Sequence, residues 1–213
     1  MIPKVQICGI MNLEDAEVCT ALGADSLGFV NVEGRSRYLT LDSIKLITDN
    51  LKPYISKTLI SFRKEPKEII ERGDYVNADS IQLYSINTKK IEKIRNAGFK
   101  VINTIGIDIL DPNNNINTNR IKKMEKIADL VLLEPSVEGK IGGTGTDFDY
   151  EKKLSSISKE INYFGIGGGL TPKNVNQALR LNPYSVHVSS GIESQMGKKE
   201  RKKTRDFIRK VKM

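Results

Sequence analysis

Short apolar stretches alternate with longer amphipathic stretches from one end of the chain to the other. The short stretches are typical of buried strands, and the longer ones repeat apolar residues at helical spacing. The predicted strands cover residues 5–8, 26–30, 57–62, 80–83, 100–105, 130–133, 161–166 and 185–188. The predicted helices cover residues 12–22, 41–50, 66–73, 89–96, 120–127, 148–156, 172–181 and 198–211.

This alternation of strand and helix predicts an α/β fold with parallel strands. Eight repeats favour a closed (β/α)8 barrel, or TIM barrel, over an open doubly wound sheet, which is the alternative. The 213 residues suffice for one full core, so we expect residues 1–213 to form a single barrel domain. The irregular segment 108–118 is expected to be a surface loop, because the alternation resumes directly after it.

The composition indicates where such a chain would work. Hydrophobic residues make up 38% of it, and no apolar run approaches the roughly eighteen residues of a membrane span. The first residues lead straight into a strand and lack a secretory layout. Cys8 and Cys19 do not make a disulfide framework. We therefore expect a cytoplasmic protein with no membrane partner.

The formal net charge is +8, from 34 basic and 26 acidic residues. The lysines are spread along the chain, and the one dense basic run, residues 198–212, is interleaved with Phe207, Ile208 and Val211. That interleaving is typical of the solvated outer face of a closing helix. A nucleic-acid partner is therefore not expected, although a basic nucleic-acid-binding protein remains the non-enzymatic alternative.

Two segments of small residues follow the last two predicted strands, in Ile166-Gly-Gly-Gly-Leu-Thr-Pro172 and Val188-Ser-Ser-Gly-Ile-Glu193. Glycine lets a backbone approach a ligand closely, and Thr171 is expected to cap a helix that begins at Pro172. Backbone N–H groups in such loops bind phosphate, typically after strands 7 and 8 of a (β/α)8 barrel. The alternative is that the glycines only permit tight turns. The candidate phosphate-binding residues here are Gly168, Gly169, Ser189, Ser190 and Gly191.

Two ionisable residues stand at predicted strand ends, where a barrel has its functional site. Cys8 ends the first strand, where it could act as a nucleophile or a general base; the alternative is an inert buried thiol. Glu134 follows the sixth strand and is expected at the mouth of the barrel, where a raised pKa would suit an acid. The alternative for Glu134 is an exposed loop position.

Three further residues are candidates for contacting a substrate. Arg37, in the long loop after the second strand, could pair with a carboxylate or phosphate, and Arg35 competes for that role. His187, the only histidine, lies inside the eighth strand as a ligand contact or as a buried filler, and Tyr84 ends the fourth strand. No second His or Cys stands at metal-ligand spacing, so no metal site is predicted.

Several motifs occur in a fixed order along nearly the whole chain, namely Ile7-Cys-Gly-Ile10, Ser36-Arg-Tyr38, Gly142-Gly-Thr-Gly145, Gly168-Gly-Leu-Thr-Pro172 and Val188-Ser-Ser-Gly-Ile-Glu193. In these motifs the chain resembles the phosphoribosylanthranilate isomerase family, (β/α)8 enzymes of tryptophan biosynthesis. The resemblance implies an Amadori rearrangement, without a cofactor, of N-(5-phosphoribosyl)anthranilate into the carboxyphenylamino-deoxyribulose phosphate. The implied partner is this phosphorylated sugar, bound by a monomer or a homodimer.

The resemblance also implies roles for single residues. Cys8 would be the general base that takes the proton from C2 of the sugar, and Glu134 the acid that protonates the ring oxygen. Arg37 would pair with the anthranilate carboxylate, with Tyr84 and His187 as further substrate contacts. The loops after strands seven and eight, together with Gly143, would hold the phosphate.

The chain departs from the family pattern at several positions. The family usually has Lys, Thr, His, Asp and Asp where this chain has Gln6, Met11, Tyr84, Glu134 and His187. The phosphate-side motifs are intact, while the side that would face the aromatic group and the acid differs. A related enzyme of the same fold that isomerises a different phosphorylated sugar is therefore the alternative.

Overall fold

The computed structural model of the chain describes residues 1–84, 87–111, 116–137, 140–141 and 148–213. In this part of the chain the barrel strands are β1 (Lys4–Cys8), β2 (Ser26–Val30), β3 (Ser56–Ile60), β4 (Ser80–Leu83), β5 (Lys100–Asp108), β6 (Leu130–Val137), β7 (Phe164–Ile166) and β8 (Ser185–Val188). The α-helices are α1 (Leu13–Ala21), α2 (Leu41–Thr48), α3 (Pro66–Tyr75), α4 (Thr88–Asn96), α5 (Thr118–Glu125), α6 (Tyr150–Ser158), α7 (Val175–Leu179) and α8 (Arg201–Lys212).

Each barrel strand pairs with two neighbours, and all of these pairs are parallel. The order around the barrel is β5-β4-β3-β2-β1-β8-β7-β6, and pairing of β5 with β6 closes it. That closing pair is long, running from Ile102 opposite Leu130 to Asp108 opposite Ser136. The predicted (β/α)8 barrel is thereby confirmed, and the open sheet is excluded.

The barrel has an apolar outer layer and a divided interior. The main core, which includes Val5 and Ile7 of β1, is continuous with buried residues of the surrounding helices. A separate small cluster of Ile102, Leu130 and Leu132 lies on β5 and β6. Alternate residues of β1, β3 and β4 are instead polar, buried and hydrogen-bonded to one another: Gln6, Thr58, Ser80 and Gln82. One half of the interior is therefore polar, beneath the carboxyl ends of the strands.

Several predicted boundaries are wrong in ways that affect the site. Strand β6 continues to Val137, so Glu134 lies within the strand and not beyond it. Strand β3 ends at Ile60, which leaves Phe62 in the following loop. Strand β7 begins only at Phe164. The apolar pattern of one segment contains no information about the neighbouring strand. The hydrogen bonds to that neighbour decide where each strand ends.

The helix starts differ most from the prediction at α7 and α8, each of which begins three residues later than predicted. Asn12 caps α1 as predicted, by accepting the N–H of Asp15 at 2.7 Å. Thr171, however, caps only a turn, accepting the N–H groups of Lys173 and Asn174 at 3.1 and 3.3 Å, and α7 begins at Val175. Helix α8 begins at Arg201 because Lys198–Lys199 pairs with Glu193–Gln195 as an antiparallel hairpin. No helix in the described residues is long and apolar enough to cross a membrane.

Candidate active site

A cavity opens at the carboxyl ends of the strands, the end of the barrel that the sequence singled out. It brings together residues from β1, β4, β6 and β8 and from the loops after β2, β7 and β8. The predicted site residues that line it are Cys8, Arg37, Tyr84, Glu134, Gly168, Gly169, His187, Ser189 and Ser190. Gly191 does not line the cavity, and Gly143 lies outside the described residues.

Cys8 ends β1 and is partly exposed to this cavity. Its Sγ accepts a hydrogen bond from Gln6 Nε2 over 3.2 Å. A Cβ on Gly28 of the neighbouring strand would lie 3.2 Å from the sulfur, so glycine there leaves the thiol room. Burial raises the pKa of the Cys8 thiol to about 11, and Glu134 adds to the rise, while Gln6, Lys199 and Arg37 oppose it. The thiolate, once formed, is therefore a strong base.

Glu134 lies on β6 with its side chain buried in the cavity wall. It has no hydrogen bond to another described residue. A Cβ on Gly167 would lie only 2.7 Å from Glu134 Oε1, so the absence of a side chain at 167 makes space for the carboxyl group. Burial raises the pKa of Glu134 to about 7. A carboxyl group in that state is partly protonated near neutral pH, as a proton donor must be.

His187 lies on β8, directly opposite Gln6 of β1 in the strand register. Its Nε2 shares a hydrogen bond of 3.0 Å with Ser185 Oγ, while its Nδ1 has no partner among the described residues. Burial lowers the pKa of His187 to about 3, so the ring is neutral across the physiological range. The sequence left a ligand contact and a buried filler open, and this histidine is both buried and part of the cavity wall.

Arg37 is held from behind by a carboxylate. Its Nε and Nη2 donate to the two oxygens of Glu193 over 2.8 and 2.6 Å, and its Nη1 donates to Ser36 Oγ over 3.2 Å. A guanidinium has five N–H donors, so two further donors remain for a ligand. Arg35, the competitor, is exposed and stacks its guanidinium 5.1 Å from the Phe62 ring centre.

Glu193 is shared with a second cation, Lys199, whose Nζ donates to it over 2.8 Å and to the Cys8 carbonyl oxygen over 2.7 Å. Burial alone would raise the pKa of Glu193, but the hydrogen bonds from Arg37 and Lys199 outweigh it and hold the pKa at about 2. The Lys199 side chain is completely buried. The interpretation of the whole basic run as a solvated face is therefore wrong at Lys199.

Aromatic side chains form another part of the wall. Tyr84 and Phe62 line the cavity, with ring centres 4.4 Å apart in an edge-to-face arrangement. Burial raises the pKa of Tyr84 well above its ordinary value, with Glu134 and Cys8 adding to the rise, so its hydroxyl stays protonated. Gln82 Nε2 donates to that hydroxyl oxygen over 3.2 Å. The Tyr84 proton can therefore be donated to another group.

The two loops of small residues meet at the cavity rim. Gly168 and Gly169 have left-handed backbones, with φ of 76° and 73°, which other residues adopt only under strain. Their N–H groups donate to no other described residue. A Cβ on Gly191 would lie 1.9 Å from the Leu170 carbonyl oxygen. Gly191 therefore allows the two loops to pack together, while Ser189 and Ser190 line the cavity itself.

Sequence reasoning missed four residues that support this site: Gln6, Gln82, Glu193 and Lys199. Glu193 was visible at the end of a motif and Lys199 within the basic run, but neither carried a sign of their pairing, because a predicted loop and a predicted helix imply no contact between residues six positions apart. Gln6 was noted only as a departure, and Gln82 was given no role. In the described residues no group of three or more His, Cys, Asp or Glu side chains is placed to hold a metal ion.

Enzymes built on (β/α)8 barrels place their active sites at the carboxyl ends of the strands, in the loops that follow them. The cavity lies at that end here, so we class the chain among the (β/α)8-barrel enzymes. Comparison with known proteins identifies the family within this class of enzymes. A sequence model of the N-(5'-phosphoribosyl)anthranilate (PRA) isomerase family matches residues 5–210. The chain belongs to this family, and it is an isomerase.

Individual relatives agree along their full lengths. The N-(5'-phosphoribosyl)anthranilate isomerase of Rubrobacter xylanophilus is 32% identical over 211 residues, covering 96% of this chain and 97% of the relative. A phosphoribosyl anthranilate isomerase solved in complex with reduced 1-(o-carboxyphenylamino)-1-deoxyribulose 5-phosphate has a TM-score of 0.81 at 28% identity, over 99% of this chain and 98% of that one. The dimeric enzyme of Thermotoga maritima, solved as mutually generated monomers, has a TM-score of 0.84 at 28% identity over the same shares.

Proposed function

We propose that this chain converts N-(5'-phosphoribosyl)anthranilate into 1-(2-carboxyphenylamino)-1-deoxyribulose 5-phosphate, a step of tryptophan biosynthesis. Cys8 is the general base and Glu134 the general acid. The observation that carries the proposal is the placement of a thiol and a buried carboxyl group in one cavity of a chain that belongs to this family. The charge of Glu134 acts on the thiol, since it raises the pKa of Cys8.

The reaction needs one proton given and one proton taken. Glu134 protonates the ring oxygen of the ribose, the bond from that oxygen to C1 breaks, and the anthranilate nitrogen becomes a protonated Schiff base. The Cys8 thiolate then removes the proton from C2, and the resulting enolamine rearranges to the ketone. No atom is gained or lost, so the step requires no cofactor.

The proton states of the two groups favour these roles. With a pKa of about 7, Glu134 is substantially protonated near neutral pH, in contrast to an ordinary glutamate. The high pKa of Cys8 makes its thiolate scarce but strongly basic. Glutamate thus serves as the acid at a position where the family pattern has aspartate, because the missing side chain at Gly167 accommodates the extra methylene.

The rest of the cavity matches the two ends of this substrate. The left-handed Gly168 and Gly169, with Ser189 and Ser190 opposite, offer N–H and hydroxyl donors to the phosphate. Phe62 and Tyr84 provide an aromatic wall for the anthranilate ring. The remaining donors of Arg37, held in place by Glu193, pair with the anthranilate carboxylate.

Turnover can be followed by the loss of phosphoribosylanthranilate fluorescence. We expect Cys8→Ala and Glu134→Gln each to lower kcat by roughly 10²- to 10⁴-fold, the usual contribution of a general acid or base. Cys19→Ala is the matched control, because Cys19 is buried in α1 away from the cavity and should leave turnover intact. A near-normal rate for Cys8→Ala or Glu134→Gln, in a folded protein, contradicts the role of that residue.

The same assay separates the proposed substrate from the alternative one. If the wild-type protein binds phosphorylated ligands in calorimetry but neither turns over phosphoribosylanthranilate nor binds the product, the proposed substrate is wrong. The neutral His187 and Tyr84 would then be the first side chains to test against other phosphorylated sugars, because they differ from the family pattern and line the cavity.

A further inference from the structure

A chain of side-chain amide hydrogen bonds crosses the polar half of the barrel interior and ends at the cavity on both sides. Gln6 on β1 donates from Nε2 to Cys8 Sγ over 3.2 Å and to Gln82 Oε1 over 3.1 Å. Gln82 on β4 donates in turn to the Tyr84 hydroxyl and to Thr104 Oγ1, each over 3.2 Å. The thiol and the phenol, which both line the cavity, are thus joined through two amides.

The Gln6 amide oxygen has partners of its own. Gln6 Oε1 accepts hydrogen bonds from Thr58 Oγ1 over 3.0 Å and from Ser26 Oγ over 3.2 Å. Rotation of the Gln6 amide alone would set its oxygen against Gln82 Oε1, so that two acceptors would face each other. In the orientation that the structure has, the Gln6 N–H group points to the sulfur, and a thiolate that accepts it is favoured over a thiol.

Gln6 itself is buried and does not line the cavity, so it has no route to a substrate. The charged and titratable groups that act on Cys8 from the surrounding elements are Glu134 on β6, Tyr84 after β4, Arg37 after β2, and Lys199, which also bonds the Cys8 carbonyl oxygen. Among the groups that favour the thiolate, Gln6 is the one in direct contact with the sulfur. A neutral amide achieves this without adding a charge beside His187, its partner across the β1–β8 pairing.

We propose that Gln6 is a positioning residue for the base: its amide N–H fixes the Cys8 sulfur in the cavity and stabilises the thiolate, and through Gln82 it also fixes the Tyr84 hydroxyl. The proposal rests on the proposed role of Cys8 in proton transfer. Gln6, which stands where the family pattern has lysine, would then have a function of its own and would not be a substitution without effect.

The test replaces Gln6 by Met, which keeps the length of the side chain and removes the donor. Loss of a hydrogen bond to a charged group should raise the thiol pKa by about one unit. Alkylation of Cys8 by iodoacetamide at pH 8 is followed by intact mass, and the signal of the Cys8→Ala protein, which retains only Cys19, is subtracted. The rate at Cys8 should fall roughly three- to fourfold in Gln6→Met. The change is smaller than tenfold because a more basic thiolate is also more nucleophilic. Turnover should show a several-fold lower kcat with little change in KM.

Ser80→Ala is the matched control. Ser80 lies in the same buried polar layer, but its hydroxyl contacts Thr58 Oγ1 at 2.7 Å and touches neither Gln6 nor Cys8. It should leave the alkylation rate and kcat unchanged. If Gln6→Met does not fold, Thr58→Val removes one hydroxyl that orients the Gln6 amide and should give a smaller slowing in the same direction.

Alkylation does not depend on turnover, so the two proposals fail in different ways. An unchanged alkylation rate in folded Gln6→Met overturns the contact between Gln6 and the thiolate. Slower alkylation with unchanged kcat overturns the positioning role while leaving Cys8 as a possible base of another kind. A wild-type protein without isomerase activity is a failure of the proposed function, and it is detected before any variant is made.

Discussion

One glutamate lines the cavity and another lies behind Arg37, and their surroundings shift the pKa values of the two in opposite directions. On the paired side, defined by Arg37, Glu193 and Lys199, the carboxylate accepts hydrogen bonds from two cations and keeps a pKa of about 2. On the desolvated side, defined by Glu134 and His187, burial raises the pKa of the glutamate to about 7. The chemistry of the side chain is the same, and only the neighbours differ.

The difference between the two pKa values separates a structural glutamate from one that can exchange a proton. A carboxylate with a pKa of about 2 never changes charge near neutral pH, so the paired side is a permanent frame that fixes Arg37 and the carbonyl of Cys8. A carboxyl group with a pKa of about 7 gains and loses its proton near neutral pH. Charge pairing therefore builds the frame, and desolvation sets the proton equilibrium of Glu134, the residue that we propose as the acid.

The most damaging way to break the paired side is Glu193→Gln. It leaves the buried Lys199 and the half-buried Arg37 without their counter-charge, and breaking one partner of a buried ion pair costs about 3–5 kcal/mol. We expect that loss in urea denaturation at pH 7. Because the folded pKa of Glu193 is depressed, its contribution is complete above the ordinary value of 4.5 and disappears as the pH falls towards 2. The difference between variant and wild type should shrink accordingly in acid.

A control for this variant exists at the surface. Arg180 and Glu151 form an ion pair with the same 2.6 Å separation as Arg37 and Glu193, but both side chains are at least half exposed. Glu151→Gln should cost less than about 1 kcal/mol, because water and salt screen the pair. Equal losses for the two variants would show that burial does not strengthen the inner pair.

On the desolvated side, removing the carboxylate should change the free energy of unfolding in the opposite direction. Glu134→Gln removes a carboxyl group whose ionisation is disfavoured by burial, so the variant should be more stable than the wild type. The difference between 4.5 and about 7 corresponds to a gain of up to roughly 3 kcal/mol at pH 8. At pH 4 the carboxyl group is protonated in both the folded and unfolded states, and the gain should vanish. A gain that is absent at pH 8, or equal at both pH values, would contradict the raised pKa.

The fold could be predicted from the sequence because each repeat carries its own signals. Strand and helix patterns, and the cap at Asn12, are local, and eight repeats of them leave little choice but a barrel. The ends of β1 and β4, which place Cys8 and Tyr84 at one end of the barrel, coincide with the ends of short apolar stretches and were predicted correctly. This is why the residues at the mouth of the cavity could be identified without knowing any distance.

The contacts between those residues are not local and could not be predicted. Glu193 and Arg37 are 156 positions apart, and Lys199 looked like one more lysine in a solvated basic run. Gln6 and Gln82 are 76 positions apart, and only the barrel register brings them within 3.1 Å. A sequence indicates which side chains face inward, whereas pairing, burial and pKa depend on the closure of the sheet.

Closure of the barrel also places two of the departures from the family pattern side by side. Gln6 and His187, noted separately in the sequence, are direct partners across β1 and β8, where the family pattern has lysine and aspartate. Two neutral groups thus stand at adjacent positions where the family pattern has two opposite charges. Either combination leaves the pair without a net charge, which a buried site requires more strongly than a surface one.

The adjacent positions 6 and 187 should also be coupled energetically. Gln6→Lys alone buries an ammonium beside a neutral ring, and His187→Asp alone buries a carboxylate beside a neutral amide, so each should lower the free energy of unfolding. The double variant restores two opposite charges, and its loss should fall short of the sum of the single losses by about 1–3 kcal/mol. Urea denaturation of the four proteins at pH 7 measures this coupling. Losses that are additive within about 0.5 kcal/mol would mean that positions 6 and 187 are not coupled energetically. The two neutral side chains would then contribute to stability independently.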